Sequence, residues 1–218
     1  MNGPLVELVG VDFAYDGGPA VLRQCSLALA PGERVALAGP TGSGKTTILH
    51  LIVGLLKPTA GRIEVLRKPR AREADFHEVR RRVGLLFQAP DDQLFCPTVA
   101  EDVAFGPLNL GKPREEVRAI VDRTLRPLGL EGYQRRITYK LSGGEKRLVA
   151  LATVLAMEPE VLLLDEPTSG LDPQAAGRLI EVLAGLEQAM LVVSHDREFL
   201  ARVTEARLEL REGRVVAE

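Results

Sequence analysis

Residues 39–46 read Gly39-Pro40-Thr41-Gly42-Ser43-Gly44-Lys45-Thr46. They satisfy the spacing G-x-x-x-x-G-K-[ST], which carries meaning only when a strand precedes it and a helix follows. Both flanks are present: Val35 to Ala38 is a short apolar strand, and helical spacing runs from Thr46 to Leu56, ending before Pro58. Glycines let consecutive backbone N–H groups curl round phosphate oxygens without Cβ clashes. Lys45 then supplies a cation to the β- and γ-phosphates, and Thr46 a hydroxyl to Mg²⁺, with Thr47 beside it. The helix N-terminus adds a favourable dipole.

Outward from this loop, strands and helices alternate. Leu5 to Tyr15 and Val21 to Ala30 are predicted as two antiparallel strands joined at Asp16-Gly17-Gly18-Pro19. Gly61 to Leu66 is a further strand, followed by a charged stretch, Arg67 to Arg82, read as loop and helix face, and by a strand Val83 to Phe87. From Ala89 to Ala156 helical periods replace strand signals, with Val117, Ile120, Val121, Leu125 and Leu128 on one face. Strands resume at Val161–Leu164 and Met190–Ser194, separated by a helix over Gln174–Glu187. A hairpin over Ala206–Val216 turns at Glu212-Gly213. This order predicts an α/β chain: a mostly parallel sheet covered on both faces, an N-terminal antiparallel β subdomain and a helical insertion.

Two further stretches carry chemistry. Val161-Leu162-Leu163-Leu164 ends in Asp165-Glu166-Pro167, so an apolar strand delivers a carboxylate pair. Asp165 suits a metal beside the phosphate loop, and Glu166 can polarise a water against the γ-phosphate. The pair could also do no more than end the strand. Leu141-Ser142-Gly143-Gly144-Glu145 opens a helix shortly before it. Ser142 with Glu145 is a capping box, which leaves Gly143 and Gly144, both poor helix formers, without a local reason.

With these elements in order, the chain resembles the ATP-binding-cassette ATPases, whose members clamp ATP between two head-to-tail subunits. The resemblance covers essentially the whole chain, as one domain over 1–218 with a helical subdomain at about 89–156, and implies a RecA-like P-loop NTPase core. It implies ATP and Mg²⁺ as ligands, with Thr46, Gln88 and Asp165 at the metal. Glu166, His195 and Gln88 become the catalytic set. Tyr15 stacks on adenine, residues Gly39 to Thr47 hold the phosphates, and Ser142, Gly143 and Gly144 cap the γ-phosphate held by the other subunit. Ser169-Gly170-Leu171-Asp172 resembles the loop that signals across the dimer. His50 and His77 match no motif.

Within that family the sequence is most similar to the ATPases of energy-coupling-factor importers of the cobalt and nickel type. The stretches that carry this are Val83 to Gln88, Asp91 to Phe95, Thr98 to Pro107, and Leu141 to Ala152, with Glu145 where many cassettes have glutamine. Ala89 departs from the acidic residue common in that group, and the chain stops soon after its terminal hairpin. The implied partners are a second copy of the chain and transmembrane permease subunits at the cytoplasmic face of the membrane, which this subunit would touch peripherally. Phe95, Val99, Val103 and Phe105 are candidate contacts for a membrane partner, or pack inside the insertion. A generic importer or exporter ATPase, or a cassette acting on ribosome or DNA, stays open. A non-hydrolytic scaffold is disfavoured by the intact Glu166 and His195.

Composition narrows the classes further. In 218 residues, 28 basic and 30 acidic side chains leave a formal charge of -2, so no bulk electrostatic grip on nucleic acid is expected. The N-terminal MNGPLVELVG lacks the basic start and apolar run of a secretory leader. The longest apolar run, Leu148 to Met157, is about half a membrane span and suits a core helix. Cys25 and Cys96 stand in unrelated contexts and suggest two reduced thiols rather than a disulfide.

Overall fold

A computed structural model describes residues 3–217; Met1, Asn2 and Glu218, at the ends of the expected 1–218 domain, lie outside them. The chain forms two compact units. The first takes in the described chain up to Leu85, then Glu160–Leu164, then the described chain from Glu187 on. The second comprises Leu86–Pro159 and Asp165–Leu186.

In the first unit, β1 (Val6–Ala14) and β2 (Ala20–Leu29) form the expected antiparallel pair, with Val6 opposite Leu29 and Leu8 opposite Leu27. β3 (Arg34–Ala38) leads through the glycine loop into α1 (Lys45–Ile52). This helix is shorter than the predicted Thr46–Leu56, because the backbone turns at Val53 and Gly54. β4 (Ala60–Val65) pairs antiparallel with β1, and β5 (Lys68–Arg70) with β4. The four strands make one sheet in the order β2-β1-β4-β5.

β5 corrects the reading of Arg67–Arg82 as loop and helix face alone. Leu66 and Arg67 both take left-handed backbone (φ 55° and 61°), which closes a tight hairpin. The helical part of that stretch is α2 (Phe76–Arg82). β6 (Val83–Leu86) then joins the second sheet, with Phe87 beyond its end.

In the second unit, α3 (Val99–Asn109), α4 (Arg114–Leu125) and α5 (Gly143–Leu155) account for the helical insertion. The predicted apolar face of α4 is buried at Val117, Ile120, Val121 and Leu125. Val99 and Val103 are fully buried, so they are not partner contacts; their i, i+4 spacing puts both on the inward face of α3. Phe95 (67% exposed) and Phe105 (46%) stay at the surface and meet edge to face at 4.8 Å. Strand pairing is not wholly lost here: Thr98 and Ile137 form an isolated antiparallel bridge.

β7 (Val161–Asp165), β8 (Ala189–Val193), β9 (Ala206–Arg211) and β10 (Arg214–Ala217) complete a six-stranded sheet in the order β10-β9-β3-β8-β7-β6. β3 pairs parallel with β8 and with β9, and β9–β10 is the predicted hairpin, with Glu212 and Gly213 at positive φ. β7 and β8 are buried along their whole length, as continuous apolar runs in a sheet covered on both faces should be. The core of the first unit gathers Val6, Leu8 and Val11 of β1, Ile48 and Ile52 of α1, and Leu163 and Leu191 of the second sheet. α6 (Pro173–Ala184) and α7 (Arg197–Val203) follow β7 and β8 in the chain, both capped at the N-terminus by aspartates. Both cysteines are free, and burial pushes each thiol up to about 11.

Candidate nucleotide site

The glycine loop is held open by its backbone. Gly39 has φ 143°, and a Cβ there would lie 2.6 Å from the carbonyl oxygen of Leu210. Gly44, the residue before α1, has φ 105°, and its Cβ would meet Val21 Cγ1 at 2.7 Å. Only glycine fits at either place. Lys45 is 8% exposed, and its Nζ donates to the carbonyls of Gly39 and Pro40 at 2.8 Å each. Pro40, Thr41 and Gly42 are exposed, and Thr46 is half-buried. Ser43 Oγ is buried and has no hydrogen-bond partner among the described residues. A buried orphan hydroxyl in a loop of turned N–H groups is what an arriving phosphate oxygen would satisfy.

Tyr15, expected to stack on adenine, lies beside Thr47 of α1. Its hydroxyl lies 3.1 Å from Oγ1 of the buried Thr47, and its ring packs edge to face on Phe13 at 4.9 Å while remaining 51% exposed. His195 follows β8 and is exposed. Because Ala36 pairs in parallel with Val192, β3 and β8 deliver the phosphate loop and His195 to the same sheet edge. Ser194 Oγ accepts from the Asp196 N–H at 3.1 Å, and Asp196 caps α7 by accepting from the Phe199 N–H at 3.0 Å, so the turn carrying His195 is fixed on both sides.

The second unit carries the other motifs. Ser142 and Gly143 are exposed at the start of α5, whose capping box is complete: Glu145 N–H donates to Ser142 Oγ (3.3 Å) and Ser142 N–H to Glu145 Oε2 (2.8 Å). A Cβ on Gly144 would lie 3.3 Å from the Gly170 carbonyl, so this glycine admits the loop Ser169-Gly170-Leu171. Asp172, at the end of that loop, caps α6 by accepting from Gln174 and Ala175 N–H. Glu145 also accepts from Tyr133 Oη (2.8 Å) and Arg136 (3.1 Å), and the Ser142 backbone N–H and that phenol hold its carboxyl below the usual range.

Asp165 is 3% exposed at the end of β7. Glu166 sits in left-handed backbone (φ 49°), a strained setting for a side chain with a Cβ, and its carbonyl accepts from Ser169 N–H. Gln88 is exposed beyond β6. Arg147, which sequence reading passed over inside the Leu141–Arg147 stretch, is 5% exposed and donates to the carbonyls of Phe87 (2.9 Å) and Gln88. Burial pulls its pKa down, while Asp165 and Glu166 pull the other way. Nothing in the neighbouring sequence signals this role, because the carbonyls it grips lie about 60 residues earlier in the chain. Thr46, Gln88 and Asp165 each carry a side-chain oxygen (hydroxyl, amide and carboxylate), the donor type that hard dications such as Mg²⁺ take.

Comparison with known proteins shows the family of the chain. Residues 22–169 match the family model of the ABC transporter. The chain is 42% identical to the energy-coupling factor transporter ATP-binding protein EcfA of Methanothermobacter thermautotrophicus, over 98% of this chain and 70% of that one. It is 46% identical to the nickel import ATP-binding protein NikO of Rhodobacter capsulatus, over 98% of this chain and 88% of that one. Among solved structures, cbiO1 of Clostridium perfringens, part of the ABC transporter complex cbiONQ, superposes with a TM-score of 0.84 at 35% identity, covering 98% of this chain and 87% of that chain. The dimeric cassette MJ0796, in a post-hydrolysis state bound to ADP and Pi, gives 0.87 at 30% identity and 96% of both chains. With a phosphate loop, a carboxylate pair and a second glycine-bearing helix start in family order, this chain belongs to the ATP-binding subunits of ABC transporters and is an ATPase.

Proposed function

We propose that the chain powers an energy-coupling-factor-type importer of a metal ion or a vitamin, working as a head-to-tail homodimer on the cytoplasmic face of a membrane. The observation that carries this reading is a helix start with Ser142 and Gly143 exposed and Gly144 half-buried, on a chain that already owns a complete phosphate loop. Two helix starts of this kind favour a triphosphate shared between two chains. The similarity to EcfA, NikO and cbiO1 supports the importer type, and the dimeric MJ0796 cassette supports the pairing.

In this mechanism the N–H groups of residues 39–46 and Lys45 Nζ bind the β- and γ-phosphates, Lys45 exchanging its two carbonyl acceptors for phosphate oxygens. Tyr15 packs on the adenine. Thr46, Gln88 and Asp165 would hold Mg²⁺, which neutralises phosphate charge when bound. The partner's Ser142 and the partner's Gly144 cap the γ-phosphate from the other side. Glu166 takes a proton from the attacking water as its oxygen bonds to the γ-phosphorus. The bond from that phosphorus to the bridging oxygen breaks, the electron pair leaves with ADP, and inorganic phosphate forms. His195 steadies the γ-phosphate oxygens. Dividing the charge between two products weakens the seam between the chains.

The permease partner docks on the exposed apolar surface around Phe95, Cys96, Pro97, Ala100, Phe105 and Leu108. Among the described residues no helix is long and apolar enough to cross a membrane. Purification of the tagged chain from native membranes tests the proposal. Transmembrane subunits should accompany the chain and be lost with Phe105→Asp, while ATPase activity of the isolated chain persists. Recovery with ribosomal proteins instead would contradict it.

A further inference from the structure

The chain beyond β6, from Phe87 to Gln93, is laced to one face of α5. Lys146 Nζ donates to Asp91 Oδ1 at 2.6 Å in the first turn. Arg147 donates to the carbonyls of Phe87 and Gln88. Gln93 Nε2 reaches the Ala150 carbonyl at 2.8 Å and Thr153 Oγ1 at 2.7 Å, while its Oε1 accepts from Phe87 N–H at 3.2 Å. The helix that begins at Ser142 therefore holds both ends of the segment that presents Gln88.

Arg147 is the hardest of these ties to explain by packing. It is 5% exposed, and its Nε is buried with no hydrogen-bond partner among the described residues. A buried guanidinium with an unmet donor costs stability, and an apolar side chain of similar length would fill the space at less cost. What an apolar side chain lacks is the planar fork that grips two successive carbonyls.

We propose that Arg147 is a positioning residue for Gln88: it locks the Phe87 and Gln88 carbonyls to α5, so that Gln88 is placed by the same helix that offers Ser142 to the other subunit's nucleotide. The inference rests on the reading of Gln88 as a catalytic residue. Through it, closure of the dimer on ATP registers at Gln88 without either motif touching the other.

The test compares Arg147→Met, Arg147→Lys, Gln88→Ala and the double variant Arg147→Met/Gln88→Ala. Arg147→Met should keep or raise the melting temperature, leave the KM for ATP within about two-fold, and lower kcat by roughly ten-fold or more, the scale of a misplaced reacting group. Amide hydrogen exchange over Phe87–Gln93 should accelerate in the same variant. Arg147→Lys keeps the charge beside Asp165 and Glu166 without the fork, and should recover only part of kcat; it also decides the matter if Arg147→Met does not fold. In the double variant the Arg147 change should add little to the loss from Gln88→Ala, as expected of residues acting through one another. Wild-type kcat in Arg147→Met, a matching rise in KM, or an equal further loss in the double variant would overturn the proposal. Wild-type turnover by Gln88→Ala would instead remove the reading of Gln88 on which it rests, and so separates the two failures.

Discussion

At Lys45 a single side chain shows how backbone and charge share one task. The left-handed glycines shape the loop, and the ammonium rests on the carbonyls of Gly39 and Pro40. Lys45→Ala keeps the loop but removes the cation, so ATP affinity should fall by about 10²-fold, consistent with loss of a charge-assisted contact. Titration with a fluorescent ATP analogue measures this, and unchanged affinity would contradict the assignment. Glu166→Gln should bind ATP normally yet lose turnover by about 10²- to 10⁴-fold, the range for removing a general base. It should also accumulate as an ATP-bound dimer on gel filtration. At this scale the sequence showed which residue types were present, because the loop spacing and the carboxylate pair are local patterns. The left-handed backbone of Glu166 and the grip of Arg147 on two carbonyls were not legible, since strain and long-range hydrogen bonds leave no mark on neighbouring residue types.

Elements are set by periodicity and turn chemistry, and the misread one lacked the second. β5 contains Pro69, and its hairpin turns on Leu66-Arg67, where such turns usually carry glycine or asparagine. The strand is secured by tertiary charge pairing. Arg70 and Lys68 donate to Glu78 of α2 and hold that carboxyl down from 4.5 to about 2. A depressed carboxyl stabilises the fold fully above its unfolded value and loses the effect as pH falls through its folded one. Glu78→Gln should therefore lower the melting temperature at pH 7. The gap from the parent protein should close between pH 4.5 and about 2, and a gap independent of pH would contradict the pairing.

α3 offers the complementary case. Its inward valines were implicit in i, i+4 spacing, but Asp102 was not: 3% exposed, it accepts from Phe95 and Cys96 N–H and from Thr138 Oγ1. Asp102→Ala strands these donors and should destabilise the protein by about 2–4 kcal/mol in urea unfolding.

For the whole molecule, alternation of strands and helices was enough to anticipate the α/β class, and the parallel pairing of β3 with β8 and β9 follows from it. Strand order was beyond reach, because β9 enters beside β3 only through long-range pairing. The proposed function, however, needs more than one chain: each copy owns a phosphate loop and an exposed Ser142 helix start, and under that proposal a complete nucleotide seat draws one from each. Mixing Lys45→Ala with Ser142→Arg, each inactive alone, tests this most directly. Half of the randomly formed dimers pair one variant with the other, and each such dimer has one seat with both intact groups and one with neither. Phosphate release should return to about a quarter of the parental rate if the seats act independently. A mixture as inactive as its components would contradict the shared seat and the account built on it.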